Sequence, residues 1–176
     1  MILIISLCSE KLSEEEFVKP LINIARTASK CIVKHYTKVT KKNLKNATHI
    51  ILSGNPIQDN NYQNSNWSWI KETKKPILGI CAGMHAIGIA HGAKISRNKK
   101  IGMRKIKIKK SQILDKGTYE VYELHNYGIT LPKGFKTLSE KNKKILMIQK
   151  GNTYGLIFHP EVRMEKVIKN FVAKVI

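Results

Sequence analysis

The feature that most constrains the fold is a cysteine held between two glycines, in the segment Gly79-Ile80-Cys81-Ala82-Gly83. The apolar run Ile77 to Ile80 predicts a buried strand, and Ala82 to Ala90 predicts a helix directly after it. A reactive side chain on such a sharp strand-to-helix turn is the pattern of the nucleophile elbow, and glycines are needed where the turn leaves no space for β-carbons. The segment therefore predicts a nucleophilic thiol carried by an α/β sheet.

Length and composition predict a single domain covering residues 1–176, since 176 residues with 42% hydrophobic content can bury a sizeable core. No apolar run approaches the roughly 20 residues that span a bilayer. The N-terminal segment Met1 to Leu7 has no basic region before its apolar run, which predicts a first core strand and a cytoplasmic chain. Three cysteines without a C-x-x-C pair argue against a disulfide framework and against a zinc site, so we expect no metal.

The formal charge of +20 raises the question of nucleic acid as a partner. Only four of the 32 basic residues are arginine, and the lysines are dispersed along the chain without interleaved aromatic residues. Such a pattern is typical of a lysine-rich surface produced by compositional bias. We therefore favour attraction to an acidic partner protein, or to nucleotide-rich surroundings, over functional nucleic-acid binding.

Strands and helices alternate in the N-terminal half of the sequence, which predicts a doubly wound, mostly parallel sheet with helices on both faces. The predicted elements are strands Ile2 to Leu7, Cys31 to His35, Thr48 to Leu52 and Ile77 to Ile80, with helices Glu14 to Thr27 (capped by Ser13) and Trp67 to Glu72. The C-terminal half predicts an antiparallel extension and a closing helix. Its predicted elements are strands Lys105 to Lys109, Thr118 to Glu123, Ile145 to Gln149 and Tyr154 to Phe158, and the helix Val162 to Val175.

Three informative turns follow predicted strands: Ser53 to Pro56, Cys81 to Gly83 and His159 to Glu161. Ligands of open α/β sheets bind outside the carboxyl ends of the strands, so these turns are expected at one site. A nucleophilic cysteine needs a base, and the base needs an orienting carboxylate. His159 and Glu161 are two residues apart across a proline, which predicts a Cys81–His159–Glu161 triad.

The chain resembles the class I (triad-type) glutamine amidotransferases over nearly its whole length, and within them the glutaminase subunit of two-subunit GMP synthases. The resemblance rests on Ile50 to Pro56, Gly79 to Met84, Leu131 to Phe135 and Tyr154 to Val162. It implies a flavodoxin-like fold. Val162 favours the GMP synthase branch, because the anthranilate and aminodeoxychorismate synthase subunits usually carry serine there.

The resemblance also implies a reaction, the hydrolysis of glutamine to glutamate and ammonia. Cys81 would attack the amide carbon, His159 would protonate the departing ammonia, and the amides of Gly54, Asn55 and Ala82 would form the oxyanion hole. The ammonia would pass to a separate synthetase subunit that converts XMP to GMP. ATP and magnesium would belong to that partner, so no cofactor is expected in this chain.

The sequence departs from the family pattern at several positions that the resemblance assigns to the substrate pocket. Asn55 replaces a glycine, His85 replaces the glutamine four residues after the cysteine, and Ile157 replaces a glutamine. The Ser-His-Gly-Asp loop of the family is Leu124-His125-Asn126-Tyr127 here. We expect glutamine to contact His85 and the loop residues His125, Asn126 and Tyr127.

Three alternatives remain open from the sequence. The chain could be the amidotransferase subunit of anthranilate or aminodeoxychorismate synthase, or a γ-glutamyl hydrolase that acts without a partner. It could also be a regulatory subunit that keeps the fold but has lost catalysis, an alternative motivated by Asn55, His85 and Tyr127.

Overall fold

The computed structural model describes residues 1–175, which contain nine strands. They are β1 (Ile2–Ser6), β2 (Cys31–His35), β3 (His49–Leu52), β4 (Ile77–Ile80), β5 (Ile95–Ile108), β6 (Gly117–Ile129), β7 (Lys136–Lys141), β8 (Lys144–Lys150) and β9 (Thr153–Leu156). Every residue of β1 and β4 is buried, as expected for central strands covered on both faces.

Seven of these strands form one sheet in the order β2-β1-β3-β4-β9-β8-β7. The strands from β2 to β9 in this order are parallel, whereas β8 and β7 are antiparallel to their neighbours. The remaining two strands, β5 and β6, pair as a long antiparallel hairpin that forms a second sheet. The predicted α/β architecture is confirmed, with its parallel sheet and its antiparallel C-terminal extension.

Seven α-helices accompany the strands within residues 1–175. They are α1 (Glu14–Phe17), α2 (Lys19–Ala25), α3 (Lys41–Asn46), α4 (Trp69–Glu72), α5 (Ala82–Ala90), α6 (Pro160–Arg163) and α7 (Lys166–Lys174). Helix α5 packs on β3, β4 and β9, and α2 packs on β1 and α7. No helix in the described part of the chain is both long and apolar enough to cross a membrane.

The predicted helix Glu14 to Thr27 is wrong as a single helix, because it is interrupted at Val18 and continues as α2. Pro20 lies in the first turn of α2 and has no N–H to donate to the preceding turn, which explains the interruption. Ser13 precedes α1 but makes no capping hydrogen bond through its side chain. The closing helix is also divided, at Met164, whose backbone leaves the helical region (φ −141°, ψ 50°).

Strand lengths differ most from prediction in the C-terminal half. The β5–β6 hairpin extends over 14 and 13 residues, well beyond the two short strands predicted there. Strand β7 was not predicted at all, and it pairs with β8 through two register shifts. The consequence for the site is direct, because the predicted loop His125 to Tyr127 lies within strand β6.

Candidate active site

Cys81 lies immediately after β4, at the first turn of α5, with its side chain buried at 4% exposure. Its backbone is strained (φ 49°, ψ −104°), a conformation that non-glycine residues rarely adopt and that is typical of a nucleophile elbow. The backbone N–H of Cys81 donates to the carbonyl of Leu156 (2.7 Å), which ties the turn to β9. Its thiol donates to the carbonyl of Leu124 on β6 (3.5 Å).

The two glycines of this motif allow α5 to lie directly against the sheet. A β-carbon at Gly83 would lie 2.5 Å from the carbonyl oxygen of Leu52, and one at Gly79 would lie 2.5 Å from the backbone of Gly83. Both distances are far below van der Waals contact, and the obstructing atoms are backbone. Glycine at these positions therefore sets the close approach of helix and strands that places Cys81 at the sheet edge.

His159 and Glu161 follow the neighbouring strand β9 and form a buried pair. The Nδ1 atom of His159 lies 2.7 Å from the Oε1 atom of Glu161, and both side chains are 2% exposed. Burial alone would lower the pKa of His159, but the Glu161 carboxylate and the Cys81 thiol raise it well above 6.5. The imidazole thus lies beside a carboxylate and a thiol, while its Nε2 atom makes no hydrogen bond of good geometry and the thiol donates to Leu124.

Gly54 and Asn55, predicted for the oxyanion hole, follow β3, the strand on the other side of β4. A β-carbon at Gly54 would lie 2.6 Å from the Cε1 atom of His159, so the turn packs directly against the imidazole. Among the described residues, no hydrogen bond takes the backbone N–H of Gly54 or Asn55. Ala82 begins α5, where N–H groups have no intrahelical acceptor. These three amides therefore have no hydrogen-bond acceptor among residues 1–175.

The side chain of Asn55 is used for structure. Its Nδ2 atom donates to the carbonyl of Asp59 (2.7 Å) and, at 3.5 Å, to that of Leu7. These bonds hold the loop after β3 in place and leave the backbone N–H of Asn55 available.

A small cavity adjoins Cys81 and contains all four predicted substrate contacts. Its lining includes His85, His125, Asn126 and Tyr127, and its volume is about 10 Å³. A cavity of that size holds about one water molecule. Glutamine is several times larger, so the site is closed in this conformation and must widen before substrate can enter.

His85 lies one helical turn after Cys81 and is fully buried. The hydroxyl of Tyr62 lies 2.6 Å from its Nδ1 atom, and the two rings are stacked with centroids 6.0 Å apart. Burial, with a smaller effect from His125, lowers the pKa of His85 to about 3. His85 is therefore neutral, and it accepts at Nδ1 from Tyr62 while its Nε2–H, beside the backbone of Tyr127, makes no hydrogen bond of good geometry.

The other three predicted contacts lie on β6, so the expectation of a loop there is wrong. His125 is buried, and its Nε2 atom lies 3.9 Å from the Oε1 atom of Glu123. Asn126 donates to the carbonyl of Ile57 (2.9 Å), which ties β6 to the loop after β3. Strand pairing replaces the loop because β5 pairs with β6 on both sides of a bulge at Asn126.

Sequence reasoning missed three residues that shape this site: Tyr62, Glu123 and Arg104. Arg104 donates to both carboxylate oxygens of Glu123 (3.1 and 3.3 Å), and Glu123 in turn lies next to His125. Burial alone would raise the pKa of Glu123, but His125 and Arg104 lower it. Alternation along β6 offered a signal, since Glu123 and His125 share a strand face. Tyr62 lies in a short 3-10 helix (Asn61–Asn64) and offered none.

Fold and site together define a class of protein: a doubly wound α/β protein with a thiol, an imidazole and a carboxylate at the carboxyl ends of adjacent strands. The chain belongs to the class-I glutamine amidotransferase family, whose family model matches residues 15–175. Proteins of this family are enzymes.

Two relatives are named as glutamine-hydrolyzing GMP synthases. The chain is 37% identical over 147 residues to the GMP synthase of Wigglesworthia glossinidia brevipalpis, covering 71% of this chain and 28% of that protein. It is 32% identical over 145 residues to a GMP synthase from Saccharolobus solfataricus that is named as a single subunit, covering 73% of this chain and 77% of that protein. The chain thus spans less than a third of the first relative and most of the second.

Solved structures confirm the fold. A protein from Thermoplasma acidophilum, provisionally assigned as one subunit of a GMP synthase, superposes with a TM-score of 0.80 at 20% identity, covering 97% of this chain and 91% of that chain. A glutamine amidotransferase from Thermotoga maritima superposes with a TM-score of 0.69 at 17% identity, covering 92% and 76%.

Proposed function

We propose that this chain is the glutaminase subunit of a two-subunit GMP synthase. The observation that carries the proposal is the placement of Cys81, His159 and the Gly54 turn after β4, β9 and β3, three adjacent strands of one sheet. The S. solfataricus relative is named as one subunit of its enzyme, and the match covers 77% of it, which supports a chain that works with a separate synthetase.

In the proposed reaction, the proton of the Cys81 thiol passes to His159 and the sulfur attacks the amide carbon of glutamine. The oxyanion that forms accepts hydrogen bonds from the amides of Ala82 and the Gly54-Asn55 turn. Removal of one such donor typically costs about 3 kcal/mol of transition-state stabilisation. His159 then gives its proton to the departing ammonia, which leaves a γ-glutamyl thioester.

In the second half of the reaction, His159 takes a proton from water, and the hydroxide attacks the thioester carbonyl. The carbon–sulfur bond breaks, glutamate departs and the proton returns to the thiolate of Cys81. Glu161 keeps Nδ1 of His159 protonated and directs Nε2 towards the reacting atoms. Ammonia then passes to the ATP-dependent synthetase, which aminates XMP.

The closed cavity supports the view that the free chain is slow. His85 and Tyr62 fill the space beside Cys81, and β6 closes the other side with Leu124 and His125. Substrate binding requires these groups to separate, and a partner that favours the open state would accelerate the reaction by the resulting population shift.

The test is release of glutamate from glutamine by the wild type and by Cys81→Ala, with and without the cognate synthetase, ATP and XMP. We expect release to require Cys81 and to rise in the complete mixture. Release that requires Cys81 but ignores XMP and the synthetase would contradict the GMP synthase branch and favour an amidotransferase of another pathway or a partner-free γ-glutamyl hydrolase.

A second candidate, a regulatory subunit without catalysis, is favoured by one observation, the cavity of about 10 Å³ lined by His85. A folded complex of this chain with the synthetase that releases no glutamate, and whose Cys81 resists a glutamine-analogue electrophile, would support this candidate over the glutaminase.

A further inference from the structure

The β5–β6 hairpin presents an exposed apolar patch on its outer face. Residues directly opposite in an antiparallel pair share a face, and Ile101 pairs with Leu124 while Met103 pairs with Tyr122. We call these four residues the hairpin patch. Ile101 is 59% exposed and Met103 is 49% exposed, whereas Ile106 and Ile108 on the opposite face of β5 are buried.

The hairpin patch adjoins the proposed catalytic residues. The carbonyl of Leu124 accepts from the Cys81 thiol, and the carbonyl of Tyr122 accepts from the backbone N–H of His159 (2.9 Å). The rings of Tyr122 and His159 have centroids 6.4 Å apart. A surface that covered the hairpin patch would therefore contact the strand that closes the cavity beside Cys81.

A neighbouring helix carries a further exposed apolar residue. Val162, on α6, is 57% exposed and follows Glu161 directly in the chain. An ion pair between Arg163 and Glu120 (2.9 Å) joins α6 to β6 beside the hairpin patch. Exposed apolar groups concentrated at one place on a surface mark an interaction site more often than isolated ones do.

The surroundings of the hairpin patch are strongly basic. Residues 94–110 contain nine lysines and arginines and no carboxylate. Among the described residues, Arg104 is the one member of this group in an ion pair. Lys105 and Lys107 continue the every-second-residue series of Ile101 and Met103 along the strand, and both lysines are exposed. The hairpin therefore combines an apolar centre with a mainly cationic rim, in which Glu120, opposite Lys105, is paired with Arg163.

We propose that the hairpin patch is the docking surface for the synthetase subunit, and that the matching surface of the synthetase is apolar with carboxylates around it. This inference rests on the proposed function. An apolar centre favours a protein partner over a nucleic acid, because the side chains of Ile101 and Met103 have neither a positive charge nor a hydrogen-bond donor for a phosphate backbone. A synthetase bound there would cover the side of β6 next to Cys81, where ammonia is released. It would also contact β6, the strand whose position closes the cavity.

The test measures affinity in a background that cannot turn over. Cys81→Ala is titrated with the cognate synthetase by calorimetry, and so are its Met103→Glu and Leu131→Glu derivatives. Leu131 is the matched control, because it is exposed to a similar degree (45% against 49%) and lies outside the hairpin patch. We expect Met103→Glu to raise Kd by at least about tenfold and Leu131→Glu to change it by less than about twofold.

Charge complementarity supplies a second comparison. Met103→Lys is expected to raise Kd less than Met103→Glu does, since an acidic rim attracts the ammonium and repels the carboxylate. Equal Kd values for Met103→Glu and Leu131→Glu would overturn the proposal. A duplex oligonucleotide that binds through this hairpin, with synthetase affinity unchanged by Met103→Glu, would also overturn it and assign the surface to nucleic acid.

The glutaminase activity is followed separately with Cys81 intact. Met103→Glu should keep the glutamate release of the free chain and lose its stimulation by the synthetase; loss of the release by the free chain would overturn a docking role. If the synthetase binds through the hairpin patch but no release depends on Cys81, the proposed catalysis fails and the docking surface stands. If release depends on Cys81 but the synthetase does not bind, the docking surface is overturned and the glutaminase stands.

Discussion

The buried neutral imidazole of His85 makes the stability of the fold sensitive to acid, and His85→Gln should remove that sensitivity. The pKa of the His85 imidazole is 6.5 in the unfolded chain, whereas burial in the fold lowers that pKa to about 3. Below pH 6.5 the unfolded state therefore binds a proton that the native state does not bind. Stability is unaffected well above pH 6.5, falls as the pH drops below it, and levels off near the folded pKa.

The magnitude follows from linkage. Between about pH 7.5 and about pH 5, the proton bound by the unfolded state costs the fold about 2 kcal/mol, at about 1.4 kcal/mol per pH unit. Glutamine does not titrate, and its side-chain oxygen can still accept from the hydroxyl of Tyr62.

The assay is urea unfolding of wild type, His85→Gln and Met84→Leu at both pH values. Met84 is the control because it is a buried, non-titrating neighbour on the same helix. We expect wild type and Met84→Leu to lose about 2 kcal/mol more than His85→Gln does on acidification. Equal losses in all three proteins would refute the argument that His85 is held neutral by burial.

Three further changes test the geometry around Cys81. Glu161→Gln removes the carboxylate that raises the pKa of His159, the base in the proposed mechanism, so the acidic limb of the kcat/KM profile should move to lower pH. Glu165→Gln, which alters an exposed carboxylate paired with a lysine, should leave that limb in place. Gly54→Ala would place a β-carbon 2.6 Å from the imidazole, and the displaced ring should lower kcat by about 100-fold while circular dichroism shows an intact fold. Tyr62→Phe removes the hydroxyl that donates to His85 and positions it, so KM for glutamine should rise by about threefold to tenfold with a smaller change in kcat. Equal falls in kcat and kcat/KM would contradict this positioning role of Tyr62.

The sequence predicts those elements of the fold that depend on local sequence patterns. Continuous apolar runs identified β1 to β4, and the glycine spacing around Cys81 identified the turn that the strained backbone confirms. The rule that ligands bind at the carboxyl ends of parallel strands placed His159 and the Gly54 turn beside that thiol. The family resemblance, confirmed by the match over residues 15–175, agrees with that placement.

Tertiary pairing decided the rest of the fold. Strand β7 consists of Lys136-Thr137-Leu138-Ser139-Glu140-Lys141, which carries little strand propensity and is stabilised by its pairing with β8. The hairpin similarly extends through Asn98 to Gly102, where composition alone predicts a turn. Local preference cannot report such pairings, because they depend on residues distant in the chain.

The closed cavity was also beyond sequence reasoning. The replacement of glutamine by His85 was visible, but its hydrogen-bond partner Tyr62 lies 23 residues earlier in the chain, before α4 and β4. The position of His125 depended on whether its segment formed a loop or a strand. Pairing with β5 makes it part of a strand. The substrate-binding roles of His85, His125, Asn126 and Tyr127 accordingly remain predictions for the assays above.

The central claim is that Cys81 is a nucleophile that recognises glutamine, and covalent labelling tests it most directly. The wild type in complex with the synthetase is treated with an electrophilic glutamine analogue, and the intact mass and the modified peptide are measured. We expect one adduct on Cys81, protection by excess glutamine and no adduct in Cys81→Ala. Cys8, whose pKa burial raises to about 12, should stay unmodified. An unlabelled Cys81 in a folded complex, or labelling that glutamine does not compete, would contradict the claim.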